Sequence, residues 1–574
     1  MKRKLGIILA GAMAMSLGAC AGGGTEPTKA PGSAAGSEAQ TAEETTAQQE
    51  AQYTALELME KYNTAAEDVR DDKYRTFYEV FLYSFYDSDG DGIGDIRGLI
   101  DKLDYINDGD PATDTDLAAT GIWLMPMMPS PSYHKYDVTD YYAIDPAYGT
   151  LDDYKDLLAE CHKRNINVII DLVLNHTSSE HPWFTQACDY LRTLKADEES
   201  DPEVCPYVDY YEFTKTPSGA MYAVTGTDWY YRGEFTYTMP DLNLDNEGVR
   251  KEIADIANYW LDMGTDGFRL DAVLYYYESN TIQNVAFLKW FNDLCKASYP
   301  DTYIVGECWK DMTTYAQYYE SGIDSLFNFD WSGAEGGVVK AVKQAGRYKK
   351  ASDYAAALEE LSQRLGEYET AIDAPFFTNH DMGRGAGYFY SPGNALPWTK
   401  MGIAVNLLME GNAFIYYGEE LGMSGSGADE NKRAPMLWST EKVQGMCAGP
   451  AGYKASHSYP GVDVQSADGD SILNFTRQVI KLRNAYPAIA RGSSRAAQGS
   501  GDAIAVIERS YGGETVYVVM NLSKESATLR LSDCDWYAAH SAIGGALLTT
   551  AEDISVEGGQ LTMPRDSVVI FTAK

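Results

Sequence analysis

Apolar positions along this chain follow two alternating rhythms. Short runs rich in Val, Ile, Phe and Tyr occupy residues 76–86, 121–128, 168–174, 265–273, 302–309, 325–329, 371–378 and 413–417. Their length and their β-branched and aromatic content predict buried strands. Between them, apolar side chains recur every three or four positions, as at 151–164, 249–261 and 284–297, the spacing of helices with one buried face. Eight strands alternating with helices over about 400 residues predict a (β/α)8 barrel in the α/β class. A doubly wound parallel sheet is the competing architecture. The barrel is favoured because residues capable of chemistry recur at the C-terminal ends of several different strands, where barrel enzymes build their sites.

Three stretches depart from the alternation. Residues 177–246 separate the third strand from its helix and are rich in Tyr, Trp, Pro and Asp; an insertion of that size is functional or a small domain. Residues 336–368 form a second insertion with a helical stretch at 354–365, and a helix at 472–484 closes the barrel. After it, alternating runs at 503–509, 515–521, 527–531 and 567–572 predict a C-terminal antiparallel β-sandwich domain.

The N-terminus has another character. Lys2, Arg3 and Lys4 precede an apolar run, 5–17, and then Leu17-Gly18-Ala19-Cys20. This is a targeting segment that resembles a bacterial lipobox, with Cys20 the expected site of lipidation; an ordinary signal peptide is the alternative. Residues 21–50 hold too little apolar surface to fold and read as a flexible tether, followed by a short helix at 54–69. The expected organisation is a signal peptide at 1–20, a tether at 21–72, a catalytic barrel at 73–490 containing the 177–246 insertion, and a β domain at 491–574. No later stretch has the length and apolarity of a membrane span, so any membrane contact is expected through the lipid at Cys20, with the protein facing outward at the cell surface.

Composition narrows the function. A net charge of -38 argues against nucleic acid and other polyanions as partners. The 43 Tyr suit a surface that grips sugars, although most must fill the core. Beyond Cys20, seven cysteines remain (161, 188, 205, 295, 308, 447 and 534), and their spacing matches no zinc pattern. For Cys188 and Cys205 a disulfide and free thiols both stay open; the others read as free buried thiols.

The chemistry is carried by strand ends. In Gly267-Phe268-Arg269-Leu270-Asp271, alternation places Arg269 and Asp271 on one face. A guanidinium beside a carboxylate keeps it ionised, as a nucleophile requires; a structural ion pair is the simpler alternative. Glu307 in Val305-Gly306-Glu307-Cys308-Trp309 and Asp381 in Asn379-His380-Asp381 end two further strands, and Asp171 to His176 supplies more polar groups. Such a cluster resists full ionisation, which leaves one carboxyl protonated as an acid. Retaining glycoside hydrolysis needs this division of labour.

With these residues in view, the chain resembles the alpha-amylase superfamily, glycoside hydrolase family 13. The family's stretches occur in order at 171–176, 267–271, around 307 and at 379–381, with Met239-Pro240-Asp241-Leu242-Asn243 inside the long insertion, the family's domain B. The resemblance implies that Asp271 is the nucleophile, Glu307 the general acid/base and Asp381 a third acid binding sugar hydroxyls. It further implies that Arg269, His176, His380 and Asn379 surround the reacting sugar. By the same resemblance, Tyr136 is the implied aromatic stacked beneath that sugar, and His134 an implied partner of a hydroxyl. Trp309 is expected to touch the next sugar or to pack in the core.

A further acidic loop, Asp87-Ser88-Asp89-Gly90-Asp91-Gly92-Ile93-Gly94-Asp95, offers hard oxygen ligands in a tight turn, the carbonyl of Ile93 included. Similar loops in oligo-1,6-glucosidase-like relatives bind calcium, so Ca2+ is the expected cofactor. The family's second calcium site uses the residue matched by Asn175; its partners in the insertion cannot be placed from the sequence.

The resemblance thins at Leu274 and Tyr275, where many endo-amylases carry Lys-His. The expected activity is alpha-1,4 cleavage of starch and maltooligosaccharides with retention, by a monomer. Oligo-alpha-glucosidase, neopullulanase-like and glucanotransferase activities are the alternatives. A non-catalytic glucan-capture lipoprotein is disfavoured by the intact triad.

Overall fold

The computed structural model describes residues 72–573. Cys20, the tether and the expected helix at 54–69 lie outside the described residues.

Eight parallel strands form one sheet: β1 (Phe77–Val80), β2 (Gly121–Leu124), β3 (Asn167–Leu172), β7 (Gly267–Leu270), β8 (Tyr303–Gly306), β9 (Ser325–Phe327), β10 (Ile372–Ala374) and β11 (Phe414–Tyr416). Their lateral order is β10-β9-β8-β7-β3-β2-β1-β11. A parallel bridge between Phe376 and Phe414 brings the two ends together, so the sheet is a nearly closed barrel. All eight predicted strands are present but shorter than their apolar runs. Each run continues past the last ladder hydrogen bond into the loop that carries the polar residues.

Alternation along these strands sorts the side chains. Tyr78, Ile122, Ile170, Phe268 and Ile304 point outward into the main core beneath the helices. Phe77, Trp123, Ile169, Tyr303, Val305, Phe327 and Phe414 fill the barrel interior as a separate aromatic plug. Continuing two residues at a time along the inner face, Phe77 leads to Glu79, Ile169 to Asp171, and Gly267 to Arg269 and then Asp271. The lower half of the barrel is therefore apolar and its C-terminal mouth is charged. Gly267 is required where it stands: a Cβ there would lie 1.9 Å from the carbonyl oxygen of Tyr303.

The helices at Leu151–Lys163, Glu247–Asp262, Thr281–Ser298 and Ile472–Ala485 follow the predicted periodicity. The first opens with a capping box at Thr150 and Asp153, the second with Asn246 accepting from Val249 N–H. The helix of the second insertion runs Ala351–Leu365. The long third connection holds a helix, Pro182–Thr193, and a small antiparallel sheet of β4 (Phe213–Thr214), β5 (Met221–Ala223) and β6 (Tyr230–Arg232) in the order β4-β6-β5. Bridges from His176 to Asp241 and from Tyr211 to Leu242 tie its ends together.

Beyond the barrel, β12 (Ser493–Ala496), β13 (Ile504–Tyr511), β14 (Glu514–Asn521), β16 (Ala542–Leu548) and β19 (Ser567–Thr572) make a five-stranded antiparallel sheet. It faces a three-stranded one built from β15 (Ala527–Arg530), β17 (Ser555–Glu557) and β18 (Gln560–Met563). Ile504, Val506, Val519, Val569 and Phe571 form the core between them. The alternate residues Ile507, Val518, Met520 and Ile570 join the main core, so the larger sheet is buried on both faces. The sequence pattern missed β12, β16, β17 and β18, which are short or rich in Gly and polar residues. The seven described cysteines are all free and buried, Cys188 and Cys205 included. Among the described residues, no helix is long and apolar enough to cross a membrane.

Candidate active site

Arg269 organises the mouth of the barrel. Its side chain is fully buried, and one terminal nitrogen, Nη1, donates to both oxygens of Asp171 (2.8 and 2.9 Å) and to Asp271 Oδ1 (2.7 Å). Its other terminal nitrogen, Nη2, lies 2.9 Å from Glu307 Oε2. Three carboxylates, one on β3 and one just past the end of each of β7 and β8, thus share one guanidinium, whose planar fork fits several carboxylate oxygens at once. Immediately after Asp271 the backbone turns left-handed at Ala272, with φ of 53°, and the Ala272 N–H points at Glu307 Oε2 at 3.3 Å. A non-glycine residue in that region stores strain, of the kind met at functional sites.

The carboxyls are electrostatically distinct. Burial pushes Glu307 up to about 7, with Arg269 opposing and the charges of Asp271 and Asp381 assisting. Burial raises Asp171 to about 6 against the pull of Arg269. Burial also opposes ionisation of Asp381, but His380 and Arg433 outweigh it and hold its carboxyl well below the usual carboxylate range. The mouth therefore contains one carboxyl that is substantially protonated near neutral pH and one that is firmly ionised.

The remaining predicted residues surround this cluster. Tyr136 donates its hydroxyl proton to Asp171 Oδ2 (2.9 Å), and its ring stacks on His380 with centroids 5.5 Å apart. His176 Nε2 faces the carbonyl of Tyr136 at 3.1 Å, and Asn379 accepts from the Asp381 N–H at 3.0 Å. Burial lowers the pKa of both His134 and His176, which favours neutral rings. Trp309 stacks on Phe329 at 4.8 Å yet is 48% exposed, so it forms a platform at the rim rather than core packing. Together with Asp271, Glu307 and Asp381, the side chains of His134, Tyr136, His176 and Trp309 line one cleft of about 620 Å3.

Three further groups were not legible as site residues. Arg433, in the loop after β11, donates to Asp381 Oδ1 at 2.9 Å, to Tyr133 Oη at 3.1 Å and to Asp429. No local pattern singles it out. Phe235 comes from the third-connection insertion, is 44% exposed, and packs edge-on against His176 and Tyr275 at 5.3 Å each. Leu274 and Tyr275 also line the cleft, so this wall is apolar. Glu79 on β1 stands behind His380; its only sequence signal is an acid inside an otherwise apolar strand.

In the acidic loop, Asp87, Asp89 and Asp95 each bring an oxygen within 4.8 Å of the others. That all-carboxylate set suits a hard divalent cation such as Ca2+. Asp87 accepts from Gly90 and Gly92 N–H, Asp91 accepts from Ile93 N–H, and Asp95 caps the helix Ile96–Asp101. The residues at Asn175 do not fit a second calcium. Asn175 Nδ2 donates to Asp241 Oδ1 at 3.1 Å, Arg232 Nε lies 3.5 Å from Asp241 Oδ2, and burial raises Asp241 to about 7. Arg232 already supplies a cation there, and it continues to Glu278 Oε1 at 2.5 Å.

Comparison with known proteins agrees with this geometry. The alpha-amylase catalytic domain family matches residues 79–492. "Alpha-amylase 3" of Dictyoglomus thermophilum is 36% identical over 468 residues, covering 80% of this chain and 87% of that protein. An oligo-1,6-glucosidase of Heyndrickxia coagulans is 29% identical over 553 residues, covering 81% and 94%. The solved structure of Eubacterium rectale Amy13B superposes with a TM-score of 0.84 at 48% identity, covering 90% of this chain and 99% of that one. A nearly closed barrel with acids converging at its mouth, and a family match spanning most of the chain, lead to one conclusion: this protein is a glycoside hydrolase belonging to the alpha-amylase family.

Proposed function

We propose that the enzyme is an alpha-amylase that cleaves alpha-1,4 bonds of starch and maltooligosaccharides with retention of configuration. The observation that carries this is the pairing of Asp271 and Glu307 across the single guanidinium of Arg269, with burial keeping Glu307 protonated up to about 7. In the first step, the Asp271 carboxylate attacks the anomeric carbon as Glu307 gives its proton to the departing glycosidic oxygen and the C–O bond breaks. In the second, the Glu307 carboxylate takes a proton from water. The water oxygen attacks the anomeric carbon and frees Asp271. Asp381, ionised and fixed by His380 and Arg433, binds sugar hydroxyls as positive charge develops on the ring. Tyr136 lies beneath the reacting sugar, and His134, His176 and Asn379 complete its surroundings.

Trp309 and Phe235 are aromatic faces exposed at the rim of the cleft and suit sugars beyond the reacting one. They support an enzyme acting on chains, whereas the apolar Leu274 and Tyr275 wall and the oligo-1,6-glucosidase relative support an exo-acting oligosaccharide hydrolase. Asp87, Asp89 and Asp95, with Asp91 and the Ile93 carbonyl, would hold one Ca2+, which would brace the loop after β1. The N-terminal reading extends this to a monomer tethered outside the cell through a lipid on Cys20.

The test is product profile over time, with residues 21–574, calcium, soluble starch and maltoheptaose. Mixed oligosaccharides with a fast loss of iodine staining are expected. Glucose alone from the first minutes, with starch nearly untouched, would replace the amylase by an exo-acting glucosidase. Asp271→Asn and Glu307→Gln are expected to abolish cleavage while glucan binding survives; normal turnover in either removes the assignment.

A further inference from the structure

The His380 ring is held on both sides by groups from different strands. Its Nδ1 lies 2.6 Å from Glu79 Oε1, and its Nε2 lies 3.1 Å from Asp381 Oδ2 and 2.8 Å from Tyr136 Oη. Both His380 and Glu79 are buried, with side chains 1% exposed. Tyr136 owns one hydroxyl proton, and it goes to Asp171 Oδ2, which Arg269 grips through both oxygens. The Tyr136 oxygen therefore meets His380 Nε2 as an acceptor, and so does the ionised Asp381, so Nε2 carries a hydrogen. The neutral ring has one N–H, and it is spent there. The short contact between Nδ1 and Glu79 needs a second hydrogen, carried either by the ring as an imidazolium or by the Glu79 carboxyl, whose pKa burial raises.

We propose that Glu79 is a positioning residue of the active site, which holds His380 as a doubly protonated ring donating to Glu79 on one side and to Asp381 on the other. A cation fixed there keeps Asp381 ionised and aligned with the sugar hydroxyls, and its anchor, Glu79, does not itself line the cleft. Without it Nδ1 would be free to lose its proton, and Asp381 would lose a charge-assisted partner. The charged and titratable groups facing the ring are Glu79 from β1, Tyr136, Asp171 from β3, Arg269 from β7, Glu307 after β8 and the adjoining Asp381. Burial disfavours the cation, but Asp381 and Glu79 outweigh it and raise His380 to about 10.

The inference rests on the proposed hydrolytic role of Asp381, yet its primary test does not require turnover. Histidine-selective 15N labelling resolves both ring nitrogens of each of the seven histidines, and His380→Asn assigns the signal. In the wild-type protein both His380 nitrogens are expected to be protonated from pH 6 to 8.5. In Glu79→Gln, which keeps the shape and an acceptor but removes the charge, Nδ1 is expected to lose its proton within that range. The alkaline limb of log kcat/KM should steepen from one ionisation to two, because Glu307 and His380 would then both have to stay protonated. A wild-type His380 protonated only on Nε2 at pH 7 would place the shared proton on Glu79 and overturn the inference. An unchanged His380 titration in Glu79→Gln would do so as well. Should that variant fail to fold, the wild-type spectrum alone still decides. A wild-type enzyme that leaves both glucans uncut would instead defeat the proposed activity and leave the spectral result standing.

Discussion

Replacing Arg269 by Met removes the one cation shared by Asp171, Asp271 and Glu307 while keeping most of the side-chain volume. Breaking a buried ion pair by deleting one partner costs about 3–5 kcal/mol, because a charge is left unpaired in the interior. Here the stranded carboxylates have an escape, which is to take up protons. Each that does so acquires a folded-state pKa above its unfolded value, so the folded protein holds a proton that the unfolded chain has released. For such a group stability is highest below the unfolded pKa and is lost as pH rises through the folded one. The deficit of the variant should therefore grow with pH by about 1.4 kcal/mol per unit for every extra carboxyl kept protonated. Asp171 is already raised to about 6 in the parent and Glu307 to about 7, so the share of Asp171 appears only above pH 6. Matched chemical denaturation of both proteins at pH 5.5 and 7.5, with calcium constant, measures the difference. The expected outcome is a deficit of about 3 kcal/mol or more at pH 7.5, clearly smaller at pH 5.5, and no measurable cleavage of maltoheptaose. A deficit under about 1 kcal/mol, or one independent of pH, would refute the view that this guanidinium neutralises a buried acidic cluster.

Two other outcomes follow from the same electrostatics. In the proposed mechanism Glu307 must be protonated to act, so kcat/KM should fall as pH rises through about 7 with a slope of one proton; an alkaline limit beyond pH 9 would show that another group is the acid. Calorimetric titration of metal-free protein should find a single calcium per chain, abolished in the Asp87→Asn, Asp89→Asn double variant, with chelation lowering stability by about 2.7 kcal/mol relative to calcium at 100 times its Kd. Two equivalents bound, or full binding by the double variant, would contradict the assignment of the acidic loop and of Arg232 as the cation beside Asp241.

Much of this protein could be read before any fold was known. The eight apolar runs were strands because β-branched and aromatic residues bounded by polar turns leave little else for a buried segment to be. Arg269 and Asp271 share a face because a strand has a period of two, and their presence beside Glu307 and Asp381 follows from barrel topology. The limits are equally physical. Strand ends were overextended because apolar character continues past the ladder where Leu82 and Phe85 turn into the core rather than along the sheet. The strands at 493–496, 542–548, 555–557 and 560–563 escaped notice because edge pairing and contacts with the neighbouring sheet, not their own composition, make them strands.

Local periods and short spacings along the chain are enough to specify the alternation of strand and helix, the acids at the strand ends and the acidic loop. The folded arrangement alone makes Glu307 a raised acid and Asp381 a depressed one, because burial and neighbours set a pKa and neither is local in the chain. Only it joined Arg433 to Asp381 across 52 residues and Glu79 to His380 across 301. Closing the sheet into a barrel brings its first strand beside its last, and contacts made that way leave no pattern along the chain.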